Sequence, residues 1–408
     1  SEEELLKHFL DLYQNSPPHI LTGWNIENFD IPYLVNRLTR LFGQKEVKRL
    51  SPFGWIKERT IRGKYGKESV AYDIFGVATM DYLQLYKKFT YANQESFRLD
   101  HIAFIELGER KISYEEAGTL FKLARTNHQK FIDYNIKDVE LVQRIDDKLK
   151  LIDLGMTMAY DAKINFVDVF GTVKMWDAII YDHLRKQDIV CPASNRNSKN
   201  TAFVGAYVKE PITGFHDWVV SFDLNSLYPH LIMQYNISPE TIVGHKSDVD
   251  VENLLTKEAD LSDVHKKKYT VAPNGTMYRN DKRGFLPTLM EKIYADRVVF
   301  KDKMLDAQKR KEEGENTDNE ISKYLNIQMA KKIQLNSAYG AIGNQWFRYF
   351  DLRNAEAVTT GGQLAIRWIE KALNDFLNKY LGSTDYDYVV AIDTDSVYLR
   401  LGKFVEKF

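Results

Sequence analysis

The stretch Trp218-Val219-Val220-Ser221-Phe222-Asp223-Leu224-Asn225-Ser226-Leu227-Tyr228-Pro229 limits what this chain can fold into more than any other. An apolar run delivers one carboxylate, Asp223, and then breaks into a turn closed by proline. Asp223 is therefore predicted at a strand end, where sites are usually built. A second acidic cluster, Asp393-Thr394-Asp395-Ser396, separates the β-rich runs Tyr388–Ile392 and Val397–Leu399, and reads as a hairpin with carboxylates at its tip. Placed side by side, the two strand ends predict a binuclear metal site. Two divalent ions about 3.5–4 Å apart activate an attacking oxygen and stabilise a leaving one. Hard oxygen ligands favour magnesium or manganese over zinc.

Asp-x-x-Ser-Leu-Tyr-Pro from Asp223 to Pro229, followed far downstream by Asp-Thr-Asp-Ser, resembles motifs A and C of the family B DNA polymerases. The wider wording, including Tyr235-Asn236-Ile237-Ser238-Pro239-Glu240-Thr241, is similar to the replicative members of T-even-like phages. The resemblance implies that Asp223 and Asp395 hold two Mg²⁺ ions, with Mn²⁺ able to substitute. The Leu224 carbonyl would assist, and Asp393 would play a lesser role at the edge. It also implies that Ser226, Leu227 and Tyr228 bind the incoming nucleotide, with the Tyr228 ring under its sugar as a steric gate.

The 408 residues, 44% hydrophobic, suffice for two or three domains with real cores. No apolar run approaches the roughly 18–20 residues that cross a bilayer, so no membrane partner is expected. The single cysteine, Cys191, excludes an internal disulfide and fits a reducing cytoplasm. With 56 basic against 57 acidic residues, bulk charge argues neither for nor against nucleic acid.

From its first residues the chain is helix-like, as if it begins inside a domain. Ile20–Asn25 reads as a strand ending in a turn, and Ile26–Leu34 enters a helix with Asp30 near its start, where a negative charge is favourable in any case. Much later Tyr134 and Asp138 stand four apart on one helix face, a spacing that alone also fits a solvated face. With Asn25, Phe29 and Asp30, they resemble the second and third motifs of the 3′-5′ proofreading exonuclease. That resemblance makes Asp30 and Asp138 metal ligands and Tyr134 a helper for the attacking water. Between them, residues 60–70 read as a glycine-turned hairpin with a basic tip, which alone fits a solvent hairpin and which the resemblance implies is the exonuclease hairpin that helps to part primer from template.

Residues 151–195 show one clear helix, around Thr172–Ile180, and no chemistry. The polar run 194–200 reads as a linker. After Pro287 two helices form an antiparallel hairpin turning at 313–319. Arg297 and Lys301 share a face of the first; Lys332, Asn336 and Tyr339 share one of the second. Lys332–Gly340 matches motif B of the family, which implies that Arg297, Lys301, Lys332, Asn336, Tyr339 and Gly340 bind substrate, the cations orienting the triphosphate. A long amphipathic helix follows, with Leu364, Trp368, Leu373, Phe376 and Tyr380 expected on its buried side against the sheet.

The expected architecture is α/β and α+β multidomain. Residues 1–150 form a truncated RNase H-like exonuclease domain, and 151–195 a connecting segment. The palm, an antiparallel sheet backed by helices, occupies 196–285 and 345–408, with helical-hairpin fingers inserted at 286–344. The family's amino-terminal domain, first exonuclease motif and thumb are expected to be absent. The implied activity is that of a DNA-directed DNA polymerase with an incomplete exonuclease, acting on primer-template DNA and dNTP. A sliding clamp and other replisome proteins are its implied partners. The alternative is a catalytically inactive DNA-binding fragment.

Overall fold

The computed structural model describes every residue except 63–67, 91–92 and 194–201. The tip of the predicted hairpin at 60–70 and the predicted linker lie outside the described residues. The chain forms two compact units, Ser1–Gly171 and Thr172–Phe408. The division falls inside the stretch 151–195.

In the first unit, the helices are α1 (Glu2–Asn15), α2 (Asp30–Phe42), α3 (Gln44–Val47), α4 (Tyr82–Phe89), α5 (Leu99–Leu107), α6 (Leu120–Thr126), α7 (His128–Leu149) and α8 (Leu151–Ala162). Strands β1 (Ile20–Gly23) and β4 (Ala78–Asp81) pair in parallel, while β2 (Ile56–Arg62) and β3 (Glu68–Ile74) pair antiparallel. Ile31, Val35 and Leu38 recur at helical spacing on α2 and bury one face against Leu10, Leu50 and Ile74. Each such side chain contributes about 1.5–3 kcal/mol by leaving water.

In the second unit, the strands are β5 (Val208–Lys209), β6 (Val219–Asp223), β7 (Ile242–His245), β8 (Tyr269–Val271), β9 (Thr276–Arg279), β10 (Val389–Asp393) and β11 (Ser396–Arg400). The helices are α9 (Thr172–Arg185), α10 (Leu227–Tyr235), α11 (Val251–Thr256), α12 (Ser262–Lys266), α13 (Phe285–Glu312), α14 (Asp318–Ile342), α15 (Leu352–Leu381) and α16 (Gly402–Lys407). An antiparallel sheet runs β5-β10-β11-β6, and a smaller one β7-β9-β8. Helices α13 and α14 pack along each other as the predicted hairpin. Pro287 is tolerated in the first turn of α13, where no intrahelical N–H bond is required.

Helix α15 backs β10 and β11, but of the five residues predicted on its buried side only Leu373 packs against the sheet. Ile366, Ile369, Leu373 and Leu377 meet the buried Ile392, Val397 and Leu399. Trp368, Phe376 and Tyr380 are exposed, and Leu364 is only partly buried. The spacing 366, 369, 373, 377 is the helical stripe that meets the sheet. Leu364 and Trp368 lie on the far side from it and Phe376 at its margin, while Tyr380 falls within its arc but stacks on Phe404 and Phe408 instead of meeting the sheet. Among the described residues no helix is long and apolar enough to cross a membrane.

Candidate active site

Strand β6 ends at Asp223, which stands opposite Ser396 on β11, and Ser396 in turn stands opposite Asp393 on β10. Cross-strand partners share a face, so Asp223, Ser396 and Asp393 form a row across three strands. Thr394 and Asp395 make the tight turn between β10 and β11. Thr394 takes φ 56°, a left-handed conformation costly for a β-branched residue. Its N–H donates to the Tyr207 carbonyl at 3.1 Å, and the Asp395 N–H donates to the Asp393 carbonyl at 2.6 Å. The Leu224 N–H donates to the Asp395 carbonyl at 2.9 Å, tying the turn to the residue after Asp223. Ser396 Oγ donates to Asp223 Oδ1 at 3.2 Å.

Asp223, Asp393 and Asp395 have no ion-pair partner among the described residues. Burial raises the Asp395 carboxyl above the ordinary aspartate range, and the charges of Asp223 and Asp393 add to the rise. Like charges are thus held together by backbone bonds and strand register, an arrangement that favours a cation. The Leu224 carbonyl accepts from Leu227 N–H at 3.2 Å, and a carbonyl has a second lone pair to offer. Among the described residues no three His, Cys, Asp or Glu side chains form a metal cage by themselves.

Ser226, at φ 57°, turns the chain into α10. Leu227 and Tyr228 form the first turn of α10, and the Tyr228 ring lies 4.8 Å from the Tyr339 ring, centroid to centroid. Burial, and after it the Asp395 charge, raises the Tyr228 phenol; burial and Tyr228 push Tyr339 up to about 12. Tyr228 also rests on the buried Gly362 of α15, where a methyl group would stand 3.0 Å from its Cε1. The structure therefore brings Asp223, Leu224, Ser226–Tyr228, Asp393, Asp395 and Tyr339 together.

Arg297 and Lys301 lie on α13; Lys332, Asn336 and Gly340 lie on α14, with Lys332 about 10 Å along the axis from Tyr339. Arg297, Lys301 and Lys332 have no acidic partner among the described residues. The Nε of Arg297 is buried without a hydrogen bond. The neighbouring Lys331 differs: it is buried and reaches Asp296 at 3.6 Å.

In the first unit Asn25, at φ 65°, and Phe29 lie in the turn before Asp30, the first residue of α2. Burial raises the Asp30 carboxyl. On α7, Asp138 Oδ2 accepts from Lys111 Nζ at 2.6 Å, and Tyr134 Oη accepts from the same ammonium at 3.3 Å. Asp138 Oδ1 is buried without a partner. No hydrogen bond or ion pair joins Asp30 to Tyr134 or Asp138 among the described residues.

Sequence reasoning missed three positioning residues. Lys111 is one, invisible because its partners lie 23 and 27 residues away. The buried Asp81 is another: it accepts from Leu83 and Gln84 N–H of α4, and from Asn25 and Glu27 N–H of the turn before Asp30. Asp81-x-x-Gln84 is a helix-capping pattern that would have flagged it. The third, Asn236, donates to the Arg279 and Lys282 carbonyls and accepts from Gly284 N–H, fastening α10 to the base of α13. Glu240 accepts from Phe285 N–H beside it.

The family model for DNA polymerase family B matches residues 173–406, and the one for the DNA polymerase family B exonuclease domain matches 1–102. Tyr134 and Asp138 lie outside both. The chain is similar to the DNA-directed DNA polymerase of Escherichia phage RB69, 39% identical with 100% of this chain and 49% of that protein covered. Against that of Enterobacteria phage T4 it is 38% identical, again over 100% of this chain and 49% of the relative. With the DNA polymerase delta catalytic subunit of Candida albicans the identity is 28%, over 98% of this chain and 38% of the relative. The chain thus spans about half the length of the two phage relatives it matches. More than half of it, residues 173–406, fits one family model, and on that ground the chain belongs to DNA polymerase family B.

Proposed function

We propose that the second unit is the nucleotidyl-transfer core of a DNA-directed DNA polymerase, which adds deoxynucleotides from dNTP to a primer 3′ hydroxyl on a template. The four-stranded sheet is the palm and the α13–α14 hairpin the fingers. The observation that carries this reading is the set of carboxylates, Asp223, Asp393 and Asp395, fixed at one sheet end with no ion-pair partner among the described residues and beside the Tyr228–Tyr339 pair. Hard oxygens without a cation fit Mg²⁺ or Mn²⁺. Asp223 and Asp395 would hold the ions with the Leu224 carbonyl, and substrate and water would fill the remaining positions. Bound there, two divalent ions supply Lewis acidity to the attacking hydroxyl and the leaving pyrophosphate.

The chain's own residues then have separable tasks. Lys332, Arg297 and Lys301, cations on rigid helices without acidic partners among the described residues, orient the triphosphate for in-line attack, with Asn336 beside them. The backbone of Ser226 and Tyr228, at the opening of α10 with Leu227 between them, offers N–H groups to phosphate oxygens, while the Leu227 N–H is held by the Leu224 carbonyl. Tyr228, held by Tyr339 and Gly362, packs under the sugar, where a 2′ hydroxyl would collide with the ring; Tyr339 and Gly340 belong to the same substrate-binding surface. The test is single-nucleotide incorporation by Lys332→Ala. Loss of a charge-assisted bond worth about 1.5–3 kcal/mol predicts a roughly 10- to 100-fold fall in nucleotide use with primer-template affinity unchanged. Equal losses in both would refute this placement.

The exonuclease half of this chain is proposed to be inactive. Asp30 and Asp138 match metal ligands of that site, and the Lys111 ammonium, 2.6 Å from Asp138 Oδ2, neutralises one of them. Degradation of single-stranded DNA with Mn²⁺ that vanishes in Asp138→Ala would contradict this.

A further inference from the structure

Helix α10 opens without a side-chain cap from Ser226, which enters it in the left-handed conformation at φ 57°. A residue other than glycine stays in that conformation only where its surroundings hold it. The Ser226 carbonyl supplies one such hold: it accepts from the backbone N–H of His230 at 3.1 Å and stands 2.9 Å from His230 Nδ1. A carbonyl only accepts, so Nδ1 carries the proton, and one residue uses both lone pairs of the Ser226 oxygen.

The same ring reaches a second element of the site. Half-buried His230 lies 4.8 Å from the ring of Tyr294 on α13, centroid to centroid, with the planes at 80°. Edge-to-face contact is an arrangement that aromatic quadrupoles prefer. Tyr294, Arg297 and Lys301 follow one another at three and four residues and so share a face of α13. His230 therefore touches both the turn between Asp223 and Tyr228 and the helix that carries Arg297 and Lys301, one turn from Arg297. Metal binding, phosphate binding and the contact with the sugar leave this imidazole without a task.

We propose that His230 is a positioning residue for nucleotide use. Its Nδ1–H fixes the Ser226 carbonyl, and with it the direction of the Ser226 and Tyr228 N–H groups, while its ring registers that turn against α13 at Tyr294. The N–H groups of α10 and the cations of α13 are thereby held at one spacing, which a triphosphate bridging them requires. This role rests on the reading of the second unit as a nucleotidyl-transfer core.

Two substitutions separate the contacts. His230→Phe keeps a ring against Tyr294 and removes the donor; His230→Asn keeps a donor near the Nδ1 position and removes the ring. Single-nucleotide incorporation in Mg²⁺ and amide hydrogen exchange of residues 226–228 are measured for both, with Tyr294→Leu and the double variant His230→Asn/Tyr294→Leu alongside. Loss of the hydrogen bond predicts for His230→Phe a KM for dNTP about tenfold higher, with kcat and primer-template affinity within about twofold of the parent, and faster exchange in the turn. His230→Asn keeps the parent's exchange in the turn and raises KM about threefold, as Tyr294→Leu does; the double variant is no worse than either, because all three lose the same contact. In nitrogen NMR of the parent, the imidazole signal that disappears in His230→Phe shows the Nδ1–H tautomer. The proposal is overturned by the Nε2–H tautomer, by parent-level KM and exchange in His230→Phe, by additive losses in the double variant, or by losses that track thermal stability. Asp395→Asn separates this role from the reading beneath it. Parent-level incorporation by that variant overturns the nucleotidyl-transfer core itself, whereas an inactive Asp395→Asn beside an unaffected His230→Phe overturns only the role of His230.

Discussion

Replacing Asp81 by alanine removes one carboxylate from four N–H donors at once. Oδ1 accepts from Leu83 at 2.9 Å, Asn25 at 3.2 Å and Gln84 at 3.3 Å, and Oδ2 accepts from Glu27 at 3.0 Å. Asp81 is 1% exposed, so water does not simply take its place. Loss of the α4 cap costs about 1–2 kcal/mol. Leaving the Asn25 and Glu27 donors without a partner costs about 1–3 kcal/mol each, less what local relaxation recovers. The sum is about 3–5 kcal/mol. Asp81→Asn is the discriminating variant: its carbonyl in the Oδ1 position keeps three bonds and loses only that from Glu27, for a cost of about 1–2 kcal/mol. Urea unfolding read through Trp24 reports on this unit, because its indole N–H donates to the Phe97 carbonyl and its ring packs near Tyr82 and Tyr86. Amide exchange of the 24–29 turn should rise in the same order. An Asp81→Ala protein within about 1 kcal/mol of the parent, the range of ordinary surface changes, would refute the reasoning.

Two further outcomes follow from the second unit. Lys209 bridges Glu370 and Asp387, each at 2.6 Å; its ammonium is held above the ordinary lysine value because these bonds outweigh burial, and Asp387 is held below the aspartate value in spite of burial. Stability from the lysine is therefore present below its ordinary pKa and lost as pH rises through the raised one. That from Asp387 is present above the ordinary carboxylate value and lost as pH falls through the lowered one. Lys209→Met should cost about 2–3 kcal/mol near neutrality, with the penalty shrinking below about pH 4 and above about pH 10.5, which a pH series of thermal unfolding checks. Gly361→Ala and Gly362→Ala both gain about 1 kcal/mol of helix propensity. Only the second drives a methyl group to 3.0 Å from Tyr228, against 3.3 Å from Tyr235 for the first. Gly361→Ala should be neutral or stabilising by chemical denaturation; Gly362→Ala should be destabilised by about 1 kcal/mol and alter the deoxyribonucleotide preference.

How far the sequence could be read depended on whether the signal was local. The strand, turn and helix of 219–235, the 389–400 hairpin and the paired helices of 285–342 each follow from periodicity and turn residues within one stretch. The family match agrees with that reading for 173–406. The buried side of α15 was misjudged because large side chains outweighed register: Leu364 and Trp368 stand away from the stripe that passes through Ile366 and Leu377, and Tyr380, though in register with it, packs on Phe404 and Phe408. Lys111 and Asn236 act on partners 23 to 48 residues away, and nothing in their own neighbourhoods announces it. The nearness of Tyr228 to Tyr339 was likewise beyond spacing arguments, since it depends on how α10 meets α14.

The most direct measurement compares Asp223→Asn and Asp395→Asn with the parent for both folding stability and single-nucleotide incorporation in Mg²⁺. The carboxylates are held together against their mutual repulsion, which burial and the neighbouring charges register at Asp395. Removing one charge should therefore leave stability equal or slightly higher. Incorporation should fall by about a thousandfold or more, because several kcal/mol of transition-state stabilisation depends on those ligands. Parent-level incorporation by either variant would contradict the assignment, and a loss of activity that merely tracks a loss of folding would show that the carboxylates serve structure instead.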